Sequence, residues 1–171
     1  MAHRTLVRSG CVLIAVAALA AACGGDDGGD SDAKKVYTVP SSATPKPAAD
    51  APDPGARDGI EGARAALQAF LRGQARGDAA VCRYVADGSA FLKGPALKGN
   101  CPLGVKNTVH VVRPLERQAL RTVVVTGGRL SGEDAVIPFS ALHWTSGTMT
   151  VSTLQPRFTL RRAEGTWQIV R

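Results

Sequence analysis

The fold class is first indicated by residues 58–77, which read DGIEGARAALQAFLRGQARG. Apolar side chains recur there every three or four residues, the period of an amphipathic helix. The spacing of Asp58 and Glu61 predicts a capping box at the helix start. Gly77 is predicted to end the helix, because glycine readily adopts the left-handed conformation found just past a helix. The inward face would be Ile60, Ala63, Leu67, Phe70, Leu71 and Gln74.

Shorter helices are predicted to follow. Asp78 is placed to cap a helix over residues 79–86, and residues 89–101 read as a loop with one turn at 89–91. Two interpretations stay open for residues 103–111: Pro102 suits the first turn of a helix, whereas the β-branched residues favour a strand. Pro114 is predicted to open a short helix over residues 115–120.

From residue 121 the apolar period changes to two, which indicates strands. Strands are predicted over residues 121–125 and over residues 134–144, where Pro138 indicates an edge or a bulge. Alternating Phe158, Leu160, Trp167 and Ile169 predict a hairpin around the turn at residues 164–165. Helices followed by antiparallel strands indicate an α+β domain.

The N-terminus has the parts of a secretory signal peptide, residues 1–22. Arg4 and Arg8 give a basic start, and residues 12–22 are apolar. This apolar run is shorter than the roughly 20 residues that cross a bilayer. We therefore expect export without a membrane-spanning helix.

The end of this segment, Leu19-Ala20-Ala21-Ala22-Cys23, resembles the lipobox of bacterial lipoproteins, with the leucine one place early. The resemblance implies cleavage before Cys23, a diacylglyceryl group on its thiol with acyl chains of the palmitate type, and anchoring to the outer face of the cell membrane. The alternative is cleavage by ordinary signal peptidase, since Ala20-x-Ala22 is also a small-x-small site.

The cysteine count bears on both interpretations. Cleavage removes Cys11 and leaves Cys23, Cys82 and Cys101. Lipidation would consume Cys23, so that Cys82 and Cys101 form one disulfide in an oxidising compartment. The chain has no Cys-x-x-Cys and no histidine at ligand spacing, so we expect a structural bridge, with neither a redox pair nor a metal site.

Residues 23–56 are predicted to be a disordered tether that carries the lipidated cysteine. Gly and Asp dominate its start, and it contains five of the ten prolines. Such a segment buries too little apolar surface to offset the entropy of ordering. It carries three Lys against six Asp, whereas residues 57–171 carry sixteen Lys and Arg against eight Asp and Glu. A basic domain on a lipid tether is drawn towards anionic surfaces.

The domain, residues 57–171, contains ARAALQAFLRGQARGDAAVCRYV at residues 63–85 and ends on GTWQIVR at residues 165–171. These motifs look like nuclear transport factor 2-like lipoproteins of high-GC bacteria. The resemblance implies N-terminal helices packed on a curved antiparallel sheet of about four strands, with a pocket at the wide end of a cone. Members of that fold include isomerases, cyclases and domains that catalyse nothing, so fold alone assigns no activity.

Candidate pocket residues are few. His143, beside Trp144 in a predicted strand, could be a general base if it faced a pocket. Trp144 and Tyr84 could line an apolar site, or could simply fill the core. Asp134 is the acid best placed to face inward, although it adjoins a turn. No catalytic motif is recognisable, so we expect no catalytic residue, no cofactor and no bound metal.

The sequence therefore predicts a lipid-anchored binding or accessory domain for a small apolar ligand or a protein partner. Nucleic acid binding is disfavoured by the compartment and by the few aromatic residues. The first alternative is an isomerase or cyclase that uses His143 or Asp134. The second is a basic interaction module for the cell envelope that uses Arg157, Arg161 and Arg162.

Overall fold

A computed structural model describes residues 52–171. The predicted signal peptide, Cys23 and most of the predicted tether lie outside the described residues. The long amphipathic pattern forms helix α1, Gly59–Gln74, as predicted. The capping box at its start is absent, because the Asp58 side chain pairs with Arg162 and Glu61 pairs with Arg64 at 2.5 Å. Because both carboxylates bind arginine side chains, neither caps the backbone amides at the start of the helix.

The end of α1 confirms the role predicted for Gly77. Its φ is 72°, in the left-handed region that glycine adopts without a steric penalty. The amide of Gly77 donates to the Gln74 carbonyl at 3.1 Å, and the amide of Asp78 donates to the Gly73 carbonyl at 3.0 Å. This pair of bonds is a Schellman motif, which satisfies the last carbonyls of the helix.

The chain is already packed before α1. Pro54–Ala56 form one turn of 3-10 helix, and Gly55 is buried against the ring of Tyr84. A Cβ at Gly55 would lie 2.7 Å from Tyr84 Cε1, so only glycine allows this approach. Folded contacts therefore begin at Asp53, four residues before the predicted start of the domain at residue 57. The composition of these four residues had predicted a linker.

Three further helices and a second 3-10 turn follow α1. The 3-10 turn ends at Tyr84, two residues before the predicted end of a helix there. Residues 103–111 are helical, because Asn100 accepts a hydrogen bond from the Leu103 amide at 3.0 Å and Pro102 lies in the first turn. The elements are the 3-10 turn Ala79–Tyr84, α2 Ala90–Lys93, α3 Cys101–Val111 and α4 Pro114–Thr122.

The strands of residues 52–171 form two antiparallel sheets. The smaller sheet pairs β1, Val124–Val125, with β4, Leu142–His143. The larger sheet has the order β2-β3-β5-β6. Its strands are β2 Arg129–Ser131, β3 Asp134–Pro138, β5 Arg157–Ala163 and β6 Thr166–Ile169.

The α+β class and the final hairpin are confirmed. Two strand predictions are corrected: α4 continues to Thr122 and shortens the strand at 121–125, and a 3-10 turn at Phe139–Ala141 divides the strand at 134–144. Strand β2 was not predicted, because its three residues are all exposed and show no apolar alternation. The described residues thus have six short strands in two sheets, where about four in one sheet were expected.

Helix α1 packs on the hairpin to form the core. Leu67 and Phe70 from α1, and Phe158 and Ile169 from the hairpin, have no exposed surface. Phe91 of α2 joins this core edge-on, with its ring centroid 5.5 Å from that of Phe70 and 6.1 Å from that of Phe158. Phe91 and its neighbour Ala90 also line a surface cleft.

Candidate functional site

A cleft of about 700 Å³ lies beside the core. Its walls are α2 with the loop that follows it, α3, and the segment Met149–Gln155, while Leu71 and Gln74 of α1 contribute from the core side. This volume is within the range of roughly 300–1,000 Å³ typical of small-molecule sites. The cleft is therefore large enough for a small organic ligand.

Helix α3 presents one face to the cleft. Leu103, Asn107 and Val111 are spaced by four residues, so they lie in a row along the helix. Leu103 is 55% exposed and Val111 is 76% exposed, which leaves an uncovered apolar edge. On the same helix, a Cβ at Gly104 would lie 2.7 Å from the Leu97 Cα, so Gly104 allows α3 to lie directly against the loop after α2.

One polar side chain buried at the cleft, Gln74, has no hydrogen-bond partner among the described residues. Gln74 lines the cleft and is only 6% exposed. Within residues 52–171 its side-chain amide makes no hydrogen bond, and no fully enclosed side-chain polar atom lacks a partner. The Gln74 amide must therefore reach the open volume of the cleft, where it can donate to a ligand and accept from one.

The segment Met149–Gln155 is held by a buried carboxylate. Glu116 of α4 accepts from the Thr153 hydroxyl at 3.0 Å and from the Arg113 guanidinium at 2.5 Å. It also accepts from the Arg113 backbone amide at 3.2 Å, which closes a capping box on α4. These bonds to Arg113 and Thr153 hold the pKa of Glu116 below its usual value. Glu116 is thus an ionised support for the cleft wall, unsuited to donating a proton.

The described lining of the cleft contains no acidic side chain. Lys98 and Arg171 are the two ionisable side chains among the described lining residues, and both are basic. Glu116 of α4, which supports the cleft wall at Thr153, already accepts hydrogen bonds from Arg113 and Thr153. The cleft is accordingly apolar with a basic bias.

The candidate pocket residues from the sequence lie elsewhere. Tyr84 is fully buried, and its hydroxyl donates to Asp53 at 2.6 Å. Burial, followed by this hydrogen bond, raises the pKa of Tyr84 to about 12. His143 is exposed on β4, and Trp144 packs against Phe139 with 5.9 Å between ring centroids. None of the three lines the cleft.

The remaining candidates are surface charges of the sheet. Asp134 and Arg161 face each other on β3 and β5, with Arg161 Nε 2.7 Å from the carboxylate. The Arg161 guanidinium holds the pKa of Asp134 below its usual value. Arg162 pairs with Asp58, and Arg157 is exposed at the start of β5. Two of the three arginines proposed for a basic face are thus already paired.

The predicted disulfide is present. Cys82 and Cys101 are bonded, with 5.8 Å between their Cα atoms. Cys82 belongs to the 3-10 turn that packs on α1, and Cys101 is the first residue of α3. The bridge therefore fixes a wall of the cleft to the core.

The sequence contained one overlooked indication of the cleft. Gln74 stands on the apolar face of α1, and a polar residue on a core face needs a partner or an opening. The apolar edge at Leu103 and Val111 was not recognisable, because exposure depends on what packs against α3.

Neither a metal centre nor a membrane span is found in the described part of the chain. Residues 52–171 contain no group of three or more His, Cys, Asp or Glu side chains placed to hold a metal ion. No helix in that range has the length and apolarity needed to cross a bilayer. Comparison with protein-family models, with curated proteins and with solved structures finds no match to this chain.

Proposed function

We propose that this chain is an exported lipoprotein whose domain binds a small apolar ligand without transforming it. The observation that carries the proposal is the cleft of about 700 Å³ between α2, α3 and the segment Met149–Gln155. Apolar clefts of this size with a few placed polar groups are the usual form of a ligand site.

The lining supports binding by burial of apolar surface. Leu103 and Val111, which line the cleft and are largely exposed, would exchange contact with water for contact with the ligand. Such burial is favourable by about 25 cal/mol per Å² of apolar surface. The Gln74 amide, which has no partner within residues 52–171, would orient the ligand, because a buried amide that loses water must find another partner.

The enzyme alternative has less support. A general base or acid must lie within hydrogen-bonding reach of the reacting group. His143 is exposed on β4 away from the cleft, and Asp134 is ionised beside Arg161. A binding role requires neither group, so it is the better match to the lining residues.

The cellular location rests on the sequence alone. The proposal places a diacylglyceryl group on Cys23 and the domain on the outer face of the cell membrane, joined by the tether. The nuclear transport factor 2-like fold is proposed on the same footing, with support from a long helix packed against an antiparallel sheet.

Native mass spectrometry of the full chain taken from its own membrane tests the binding role. We expect an apolar small molecule to be retained by the wild-type chain and lost from the variant Asn107→Trp. The indole would occupy the cleft, and Asn107 is exposed and makes no side-chain hydrogen bond within residues 52–171. Retention of the same molecule by the variant would overturn the proposal.

The matched control is His110→Trp. His110 lies on α3 and is exposed, but it does not line the cleft. This variant should retain the ligand and should show the same disulfide mass as the wild type. Loss of ligand from both variants, with both still folded and disulfide-bonded, would show that binding does not depend on the cleft face of α3, and the cleft assignment would then be wrong.

The same spectra test the anchor. A mature N-terminus at Cys23 should carry the added mass of a diacylglyceryl group. A chain that begins at residue 23 without acyl mass would show ordinary cleavage, and the lipoprotein assignment would fail while the binding role stood.

A further inference from the structure

The cleft is charged at one end. Gly99 donates its amide to Leu92 at 2.8 Å, and Phe91 donates its amide to Val170 at 3.3 Å. The residues next in sequence to the two basic lining residues, Lys98 and Arg171, therefore make backbone hydrogen bonds to α2. The backbone at Lys98 and at Arg171 thus lies beside α2, and Lys98 is an exposed lysine of the loop that follows it.

The opposite end is apolar and extended. From Leu103 to Val111 the lining row runs for about 12 Å, at 1.5 Å of rise per residue. Val111 and Val112 close the row without a charged lining residue beside them. The cleft thus has the length and apolarity to hold an extended alkyl chain along α3.

Lys98 supplies the positive charge that is available to a ligand at the α2 end of the cleft. Lys98 takes part in no ion pair in residues 52–171, and no acidic side chain there lines the cleft. The Glu116 carboxylate, which holds the wall segment Met149–Gln155, already accepts from Arg113 and Thr153. An anion placed at Lys98 would gain a charge-assisted hydrogen bond without displacing a protein partner.

We infer that the cleft binds a single-chain amphiphile with an acidic head group. The alkyl chain lies along Leu103 and Val111, and the anionic head lies at Lys98. This inference rests on the proposed binding function and specifies its ligand class. Free fatty acids and anionic lysophospholipids share this chemistry, and the experiment below separates them.

Photo-crosslinking in the native membrane tests the inference with the full chain. Three probes with the same diazirine-bearing alkyl chain are supplied: a fatty acid, its primary alcohol and an anionic lysophospholipid. Adducts that depend on light are then mapped by peptide mass spectrometry. Counting only adducts within residues 90–112 and 149–155 excludes any acyl group attached at residue 23.

The decisive variant is Lys98→Glu, and its matched control is Lys93→Glu. Both residues are exposed near α2, but only Lys98 lines the cleft. We expect Lys98→Glu to lower labelling by the acidic probe about tenfold, the worth of one charge-assisted hydrogen bond. Labelling by the alcohol should be unchanged, and Lys93→Glu should label as the wild type does.

Each outcome decides between the two proposals. If the alcohol and the acid label equally and Lys98→Glu changes neither, the acidic head group is wrong while apolar binding stands. If no probe labels the cleft peptides, the proposed binding function fails as well. Stronger labelling by the fatty acid or by the lysophospholipid identifies the source of the ligand.

Discussion

Helices α1 and α3 differ in what covers their apolar faces. The face of α1 is enclosed by the hairpin and by the other helices, so Leu67 and Phe70 have no exposed surface. Along α3, Val105 is fully buried against the core, whereas Leu103 and Val111 stay open along the cleft. The comparison separates two uses of apolar side chains: those of α1 hold the fold together, and those along the cleft edge are available to a ligand.

The largest effect is expected on the enclosed side. Leu67→Ala removes a fully buried side chain and leaves a cavity, so it should lower the free energy of unfolding by about 2–5 kcal/mol. Urea denaturation followed by tryptophan fluorescence measures the loss. A change below about 1 kcal/mol would show that this side is not closely packed.

The disulfide joins the enclosed core around α1 to the cleft wall at α3. Its removal should have the second-largest effect on stability. The double variant Cys82→Ser, Cys101→Ser should lose about 3 kcal/mol of stability, as expected for the loop that the bridge closes. Hydrogen exchange should rise more in α3 than in α1, because α1 keeps its own core contacts. Equal increases in both helices would contradict the separation of the two sides.

Acid should loosen the cleft wall through Glu116. Its folded-state pKa is depressed, so its stabilising effect is present above the unfolded value of about 4.3 and is lost as pH falls through the folded value. Hydrogen exchange of Met149–Gln155 should therefore increase under acid. Glu116→Gln should lower stability at neutral pH by about 1–2 kcal/mol and abolish this acid response. A response that persists in the variant would assign it to another group.

The smallest effect is expected at the cleft edge. Leu103→Ala should change the free energy of unfolding by less than about 0.5 kcal/mol, because the side chain is already largely exposed. Ligand retention should nevertheless fall. A stability loss comparable to that of Leu67→Ala would mean that α3 is part of the core, and the contrast between the helices would disappear.

The core formed by α1 and the final hairpin could be predicted from the sequence, whereas the cleft could not. The period of α1 and the alternation of the final hairpin each report burial directly, so both elements follow from local pattern. The pairing of Cys82 with Cys101 followed from parity and compartment. Strand β2 has no apolar alternation, and the Asp58 half of the capping box is displaced by Arg162, which is distant in sequence.

The cleft depends on packing between segments far apart in the chain. In the sequence, Leu103 cannot be distinguished from a core leucine until the position of Met149–Gln155 is known. Gln74 is recognisable as a ligand-binding candidate only from the open volume beside it. Tyr84 and Trp144 were reasonable pocket candidates as large aromatic residues. The packing of Gly55 on Tyr84 and of Phe139 on Trp144 accounts for where their rings lie.

The bridge at Cys101 also bears on timing. Such bonds form in oxidising compartments and stay open in the cytoplasm. Since Cys101 begins the helix that borders the cleft, the ligand site of an exported chain would mature only after translocation. The proposed ligand site would then gain its covalent support only at the outer face of the membrane, where the proposal places the domain.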